Sequence, residues 1–126
     1  MTDVPGDYPS RVENAEGYFL DYATMEWFHA QYGGHLTEAD LTDPRLSPLY
    51  GDLAGLAPAV VVTAEFDPLR DDGLAYAEAL EAAGVPVTQR MFPGMIHGFA
   101  DMGRHSPGAQ AAIDETFALF RDVLHG

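Results

Sequence analysis

The chain has 126 residues, enough for one small domain, and carries twenty acidic residues against six arginines and no lysine. The formal net charge of −14 argues against nucleic acid or an anionic membrane surface as a partner, because both require Lys and Arg. The lack of cysteine excludes disulfides, a thiolate nucleophile and Cys-ligated metal. No apolar stretch is long enough to span a bilayer, and the acidic start does not resemble a signal peptide, so we expect a cytoplasmic protein.

The first third of the chain contains one predicted helix. Residues 1–10 are rich in Pro, Gly and Asp, which predicts an extended lead-in. A helix is predicted over 21–32, with Asp21 or Thr24 as its N-cap and Gly33-Gly34 at its end. Its apolar side chains either pack as a stripe into the core or form a flap that lines an apolar ligand pocket. These residues are Leu20, Met25, Trp27, Phe28 and Tyr32.

Residues 37–58 are interrupted by prolines and glycines, which predicts a long irregular connection. Ser47 lies in this connection between Leu46 and Pro48. Because it lacks flanking glycines, we interpret it as a structural serine and not as a nucleophile.

A strand, a helix and a second strand follow, in the order of a parallel crossover unit. The continuous apolar run 59–63 predicts a strand covered on both faces, and 87–92 predicts its parallel neighbour. The helix between them is predicted to take Asp71 or Asp72 as its N-cap and to end before Gly84. Together these elements predict a right-handed crossover in an α/β domain.

The end of the chain predicts one further helix. Ser106-Pro107 has the cap-then-proline pattern of a helix start. Apolar residues then recur at helical spacing, so we expect one face of this helix to pack on the sheet. These residues are Ile113, Phe117, Phe120, Val123 and Leu124.

Two proton-handling side chains follow the two predicted strands. Asp67 lies in the turn after the first strand, and His97, flanked closely by glycines, lies in the turn after the second. The carboxyl ends of parallel strands meet at one edge of a sheet, so both side chains should emerge there. An acid followed in the chain by a histidine base makes up two thirds of an acyl-transfer triad. The structural alternatives are a turn aspartate and a buried histidine bonded to backbone.

Motifs spread along the chain are NAEGYFL at 14–20, Met25 with Trp27-Phe28, Asp43-Pro44-Arg45 with Ser47-Pro48, TAEFDPLRD at 63–71 and GMIHGF at 94–99. Together they resemble the hormone-sensitive-lipase-like family of α/β-hydrolases, which includes the bacterial family IV esterases. The resemblance covers nearly the whole chain but only the C-terminal portion of the family's domain. It implies a cap helix segment, two parallel strands with a crossover helix and a C-terminal helix, without the N-terminal strands.

The resemblance also implies roles for particular residues. Asp67 and His97 would be the triad acid and base, and residues 11–36 would belong to the cap that covers the acyl pocket. The chain would then divide into a cap segment, 1–36, and part of the hydrolase core, 37–126. The cap residues expected at the substrate are Tyr18, Phe19, Met25, Trp27 and Phe28.

Two motifs of the family are missing from the sequence. It contains no Gly-x-Ser-x-Gly nucleophile elbow and no His-Gly-Gly-Gly oxyanion loop, and its only serines are Ser10, Ser47 and Ser106. We therefore expect the C-terminal piece of an esterase that is inactive alone. A strand with a bare edge promotes association, so the chain should fold beside its own N-terminal part or another copy of itself.

The function that this resemblance implies is hydrolysis of small carboxylic esters, with no metal and no organic cofactor. The alternative is a non-catalytic interaction module that keeps this part of the fold and assembles with itself. A third option is lactone or amide hydrolysis, because a fold does not determine the substrate.

Overall fold

The structure is a computed structural model, and it describes residues 1–125. The helices of this part of the chain are α1 (Pro9–Glu13), α2 (Tyr22–Gly33), α3 (Arg70–Ala82) and α4 (Pro107–His125), and its strands are β1 (Ala59–Phe66) and β2 (Val87–Ile96). Short 3-10 helices span Glu38–Thr42, Pro48–Tyr50 and Phe99–Asp101. This order of elements agrees with the predicted C-terminal portion of an α/β-hydrolase fold.

β1 and β2 form a parallel pair connected through α3, as predicted. Both strands continue past the predicted ends at residues 63 and 92, because backbone pairing continues as far as Phe66 opposite Ile96. The apolar pattern stops earlier because Glu65 in β1 and Pro93-Gly94 in β2 are poor strand formers. Pairing across the sheet overrides these local preferences.

Apolar side chains cover both faces of the sheet. Val62 and Ala64 contribute to a cluster on one face, while Ala59 and Val61 contribute to a cluster on the other, as the alternation of a strand requires. The first cluster contains Ala64, Phe92, Phe99, Ala109 and Ala112. The second contains Leu53, Leu80 and Val85. The prediction of a strand covered on both faces is therefore confirmed.

The packing predicted for α4 is only partly correct. The helix begins after Ser106, whose hydroxyl accepts a hydrogen bond from the Ala109 N–H at 3.2 Å, as predicted. It packs on the sheet through small residues near its start, and Ile113 joins them. Phe117, Phe120 and Leu124 are exposed, because the two-stranded sheet is too narrow to cover the whole helix.

The aromatic residues of α2 are mostly not packed away, so the prediction of a buried stripe is wrong. Asp21 caps the helix, with its carboxylate accepting from the Thr24 N–H at 2.6 Å. Only Met25 is buried in this helix, whereas Trp27, Phe28 and Tyr32 are exposed. The apolar side chains point in several directions around the helix, so no single face can bury them all.

The prediction that Asp71 or Asp72 caps α3 is also wrong. The N-cap position is Leu69, and neither aspartate caps the helix. The Asp71 N–H in the first turn donates to the Ser10 hydroxyl at 3.2 Å. The buried Asp72 carboxylate instead accepts hydrogen bonds from the Thr2 N–H at 2.8 Å and the Thr2 hydroxyl at 2.7 Å. At the other end, Gly84 has φ +81°, as the predicted left-handed C′ residue requires.

The N-terminal segment is attached to the core and is not simply an extended lead-in. Residues 9–13 form the short helix α1, which the sequence did not predict. Its Arg11 forms an ion pair with Asp72 at 3.5 Å, and its Ser10 hydroxyl donates to the Pro68 carbonyl at 2.9 Å. The start of the chain is therefore fixed to the turn that follows β1.

Candidate active site

The register of the sheet places Asp67 beside His97. Phe66 pairs with Ile96 at the ends of the two strands. Asp67 directly follows the first strand, and His97 directly follows the second. The pairing is shifted between Ala64, which lies opposite Phe92, and Phe66, so β2 contains two additional residues there. Without this bulge Asp67 would face Met95, because the offset between paired residues would remain 28 instead of 30.

Glu65 holds the bulge in place. Its Oε2 accepts a hydrogen bond from the Gly94 N–H at 2.7 Å, and Gly94 has φ +74°, a conformation that favours glycine. Sequence reasoning missed this role of Glu65. The available signal was a carboxylate just after the first predicted strand, together with Pro93-Gly94 directly after the second.

Asp67 and His97 form a direct hydrogen bond. The His97 Nδ1 lies 2.9 Å from the Asp67 Oδ2, and because an ionised carboxylate only accepts, Nδ1–H is the donor. The other carboxylate oxygen accepts from the Leu69 N–H at 2.8 Å. The Asp67 side chain is 12% exposed and the His97 side chain 39%, so a buried carboxylate supports a more accessible ring.

The electrostatics of this pair favour a charged histidine. The hydrogen bond that His97 donates to Asp67 raises the pKa of His97 above its ordinary value and outweighs burial of the ring, which lowers it. Gly98 follows the histidine with φ +74°, a turn that favours glycine. Within residues 1–125 no side chain or backbone group bonds to Nε2 of His97, so this nitrogen is free to accept a proton.

An open groove of about 460 Å³ runs from this pair along β1. Its lining includes five consecutive strand residues, 60–64, together with Asp67, His97 and Gly98. Consecutive residues of a strand point to opposite faces, so a groove that touches all five follows the backbone edge. β2 occupies the other edge of β1, which leaves this one open within the described part of the chain.

None of the three serines lines this groove. Ser10 donates to the Pro68 carbonyl, and Ser106 caps α4. Ser47 is buried, accepts from the Val4 N–H at 3.0 Å and donates to the Leu41 carbonyl at 2.6 Å, which confirms its structural role. All three hydroxyls therefore have structural partners away from His97.

The predicted cap residues lie at different places. Tyr18 stacks on Phe66 with ring centroids 4.8 Å apart, and the Phe19 ring lies against Gly98. Met25 is buried, whereas Trp27 and Phe28 are exposed and contact each other edge to face. None of the five lines the groove that contains Asp67 and His97.

Residues 1–125 contain neither a cluster of metal ligands nor a helix suited to a membrane. No group of three or more His, Asp or Glu side chains in this part of the chain has an arrangement suited to a metal ion. None of its helices is both long enough and apolar enough to cross a membrane.

Comparison with known proteins identifies the family. The sequence pattern of a family described as alpha/beta hydrolase fold matches residues 1–101. The chain is 46% identical over 104 residues to ethyl acetate hydrolase of Pseudomonas putida, covering 82% of this chain and 32% of that protein. It is 42% identical over 124 residues to the carboxylic ester hydrolase LipN of Mycobacterium tuberculosis, covering 98% of this chain and 33% of that protein.

Solved structures agree with these sequence relatives. The thermophilic carboxylesterase EstE1, cloned from a metagenomic library, superposes with a TM-score of 0.86 at 39% identity, covering 100% of this chain and 42% of that one. The chain spans about a third of the length of the curated relatives it matches. On its fold, its motifs and these matches, the chain belongs to the hormone-sensitive-lipase-like family of α/β-hydrolases.

Proposed function

We propose that this chain supplies the acid and base of a carboxylic ester hydrolase, with His97 as the base and Asp67 as the carboxylate that orients it. The observation that carries the proposal is the 2.9 Å hydrogen bond between Nδ1 and Oδ2. It fixes the tautomer in which Nε2 lacks a proton, and the buried carboxylate stabilises the imidazolium that forms during reaction.

The reaction follows from these two side chains and one hydroxyl. The hydroxyl oxygen attacks the ester carbonyl while His97 Nε2 takes its proton. The tetrahedral intermediate collapses, the bond to the alcohol oxygen breaks, and His97 returns the proton to that alcohol. Water then attacks the acyl-enzyme with His97 again as base, which releases the acid and restores the hydroxyl.

The nucleophile and the oxyanion donors must come from outside these 126 residues. The serines of this chain are bonded elsewhere, and the sequence has neither the nucleophile elbow nor the oxyanion loop. The open groove along β1 leads to His97, so a polypeptide carrying the rest of the hydrolase fold can dock there and reach the ring. Alone, the chain should show no triad-based turnover.

A small ester is the proposed substrate, and cap residues are proposed to contact it. Tyr18, Phe19, Met25, Trp27 and Phe28 remain the candidates. Of these, Phe19 lies beside Gly98 in the histidine turn and is 74% exposed, whereas the buried Met25 can act only as support. The proposed ester class agrees with the names of the two relatives, an ethyl acetate hydrolase and a carboxylic ester hydrolase. The cytoplasmic location remains a prediction.

Complementation tests this function. The chain would be refolded with the remaining N-terminal segment of the P. putida relative and assayed with a short-chain nitrophenyl ester. We expect hydrolysis only in the mixture, lost with His97→Ala and kept with His105→Ala, an exposed histidine away from the groove. Turnover by the chain alone that disappears with His97→Ala would contradict the assignment of the nucleophile to a segment outside these 126 residues.

The second candidate is a non-catalytic module that assembles with itself. It is favoured by the open edge of β1 and by the exposed Phe117, Phe120 and Leu124 of α4, which are surfaces suited to association. Complementation separates the two functions, because only the hydrolase gains activity from the missing segment. A chain that associates with itself and shows no rescue would support the module.

A further inference from the structure

The segment that precedes α2 folds into a tight loop against both turns of the site. The Tyr22 N–H donates to the Ala15 carbonyl at 2.9 Å, which closes the loop. Tyr18 and Phe19 lie within it. Tyr18 stacks on Phe66, at the strand end that leads to Asp67, and the Phe19 ring lies beside Gly98, in the turn that follows His97.

Phe19 has an unusual backbone conformation. Its φ is +74°, and it is the one non-glycine residue with positive φ among residues 1–125. The Leu20 N–H donates to the Tyr18 carbonyl at 3.0 Å, so Phe19 is the central residue of a γ-turn of the rare, strained kind. A bulky residue holds such a conformation only where its surroundings impose it.

The γ-turn sends two consecutive side chains to two different places. Tyr18 lies flat on Phe66, with ring centroids 4.8 Å apart and ring planes 15° apart. The Phe19 ring carbon Cε1 lies 3.4 Å from the position that a Cβ on Gly98 would occupy. Phe66 immediately precedes Asp67, and Gly98 immediately follows His97, so the pair bridges the two turns.

Burial of its own ring does not explain the strain at Phe19. The residue is 74% exposed, so it gains little from the hydrophobic effect in this position. The loop is attached on the acid side by the buried Asn14, whose amide donates to the Glu65 carbonyl at 3.4 Å and the Asp67 carbonyl at 3.3 Å. The loop thus has its firm attachment beside the acid and reaches the base through Phe19.

We propose that Tyr18 and Phe19 form an aromatic clamp, a pair of positioning residues that holds the Asp67 turn and the His97 turn at hydrogen-bonding distance. The clamp acts through Phe66 and Gly98 and touches neither the carboxylate nor the ring. Its value for catalysis rests on the function proposed above. Its effect on the hydrogen bond between Asp67 and His97 is independent of catalysis and can be measured in the chain itself.

The test is an NMR titration of His97 in the chain labelled at histidine Cε1. Asp67→Asn shows how His97 titrates without the carboxylate, and it defines full loss of the hydrogen bond between Asp67 and His97. In Phe19→Gly and Phe19→Asn the ring is removed, and both replacements accept positive φ. We expect the pKa of His97 to move from its wild-type value toward that of Asp67→Asn in both variants, and Phe19→Tyr, which keeps the ring, to restore it.

Measuring stability distinguishes the clamp from a purely structural role, because a purely structural residue would change stability and the titration of His97 together. Glycine relieves the strained φ, so the denaturation midpoint of Phe19→Gly should remain near that of the wild type while the titration of His97 moves. Tyr32→Ala is the matched control, because Tyr32 has the same 74% exposure but lies on α2. We expect this substitution to leave the titration unchanged.

Two results would overturn the clamp. The first is a wild-type titration of His97 in both Phe19→Gly and Phe19→Asn, and the second is an equal shift in Tyr32→Ala. Should Phe19→Gly fail to fold, Phe19→Asn decides alone. If complementation fails but the His97 titration shifts in the Phe19 variants as expected, the proposed function is wrong and the clamp is still supported.

Discussion

The backbone N–H of Gly94 donates to the carboxylate of Glu65 at 2.7 Å, and this bond lies within the bulge that aligns His97 with Asp67. The bulge changes the pairing offset by two residues. A regular β2 would place Met95 opposite Asp67, and the imidazole would lie beyond the carboxylate. The alignment of Asp67 with His97 therefore depends on a carboxylate and a glycine that lie outside the pair.

Replacing Glu65 with alanine should weaken the hydrogen bond between Asp67 and His97, although Glu65 contacts neither side chain directly. The substitution removes an accepted hydrogen bond, and we expect it to destabilise the chain by about 1 kcal/mol. The pKa of His97 should fall, because a looser bulge weakens its bond to Asp67. Denaturant unfolding and NMR titration measure the two effects. Glu78→Ala, on the exposed side of α3, should change neither, and an unaltered His97 in Glu65→Ala would contradict this role of the bulge.

The pH dependence of stability follows from the raised pKa of His97. A group whose pKa is raised on folding stabilises the folded state fully below its unfolded value, about 6.5, and this contribution disappears as pH rises through the folded value. The unfolding free energy of the wild type minus that of His97→Gln should therefore be largest in mild acid and shrink toward alkaline pH. A difference that does not vary with pH would show that Asp67 fails to stabilise the imidazolium.

The buried ion pair between Asp72 and Arg11 should be important for folding. Asp72 is 2% exposed and also accepts hydrogen bonds from Thr2, so Asp72→Ala leaves a buried guanidinium without its carboxylate. Breaking such a pair costs about 3–5 kcal/mol. Unfolding in urea measures the loss, and Asp122→Ala, at an exposed position of α4, is the control. A loss below about 1 kcal/mol would mean that the N-terminal segment is not tied to α3 as described.

Association of the chain is predicted from its open surfaces. β1 has one unpaired edge, and exposed Phe117 and Phe120 extend the apolar area along α4. We expect size-exclusion chromatography with light scattering to show a mass above that of one chain, with cooperative unfolding only in the associated state. A cooperative monomer over a wide concentration range would contradict this expectation.

Local sequence patterns were sufficient to predict much of the architecture. The crossover unit and the last helix were predictable because apolar runs, Gly84 and Ser106-Pro107 act on their immediate neighbours. The juxtaposition of Asp67 and His97 followed from the parallel pair that these signals implied.

Features that depend on distant partners were not predictable in this way. Asp72 has the sequence position of a helix cap, but its partners Thr2 and Arg11 lie about sixty to seventy residues away. Glu65 is recognisable as an anchor only once the bulge around Gly94 is known. The pattern of α4 shows that Phe117 is apolar, yet it does not show whether the sheet is wide enough to cover it.

The most direct measurement of the central claim is the rate of ester hydrolysis by the complemented enzyme with Asp67→Asn in this chain. The asparagine keeps the shape of the side chain but cannot hold the same tautomer of His97 or stabilise its imidazolium. We expect kcat to fall by about 10⁴-fold, as in serine hydrolases that lose the charge of this residue. A rate equal to that of the wild-type mixture would contradict the claim that Asp67 and His97 act together as the proton relay.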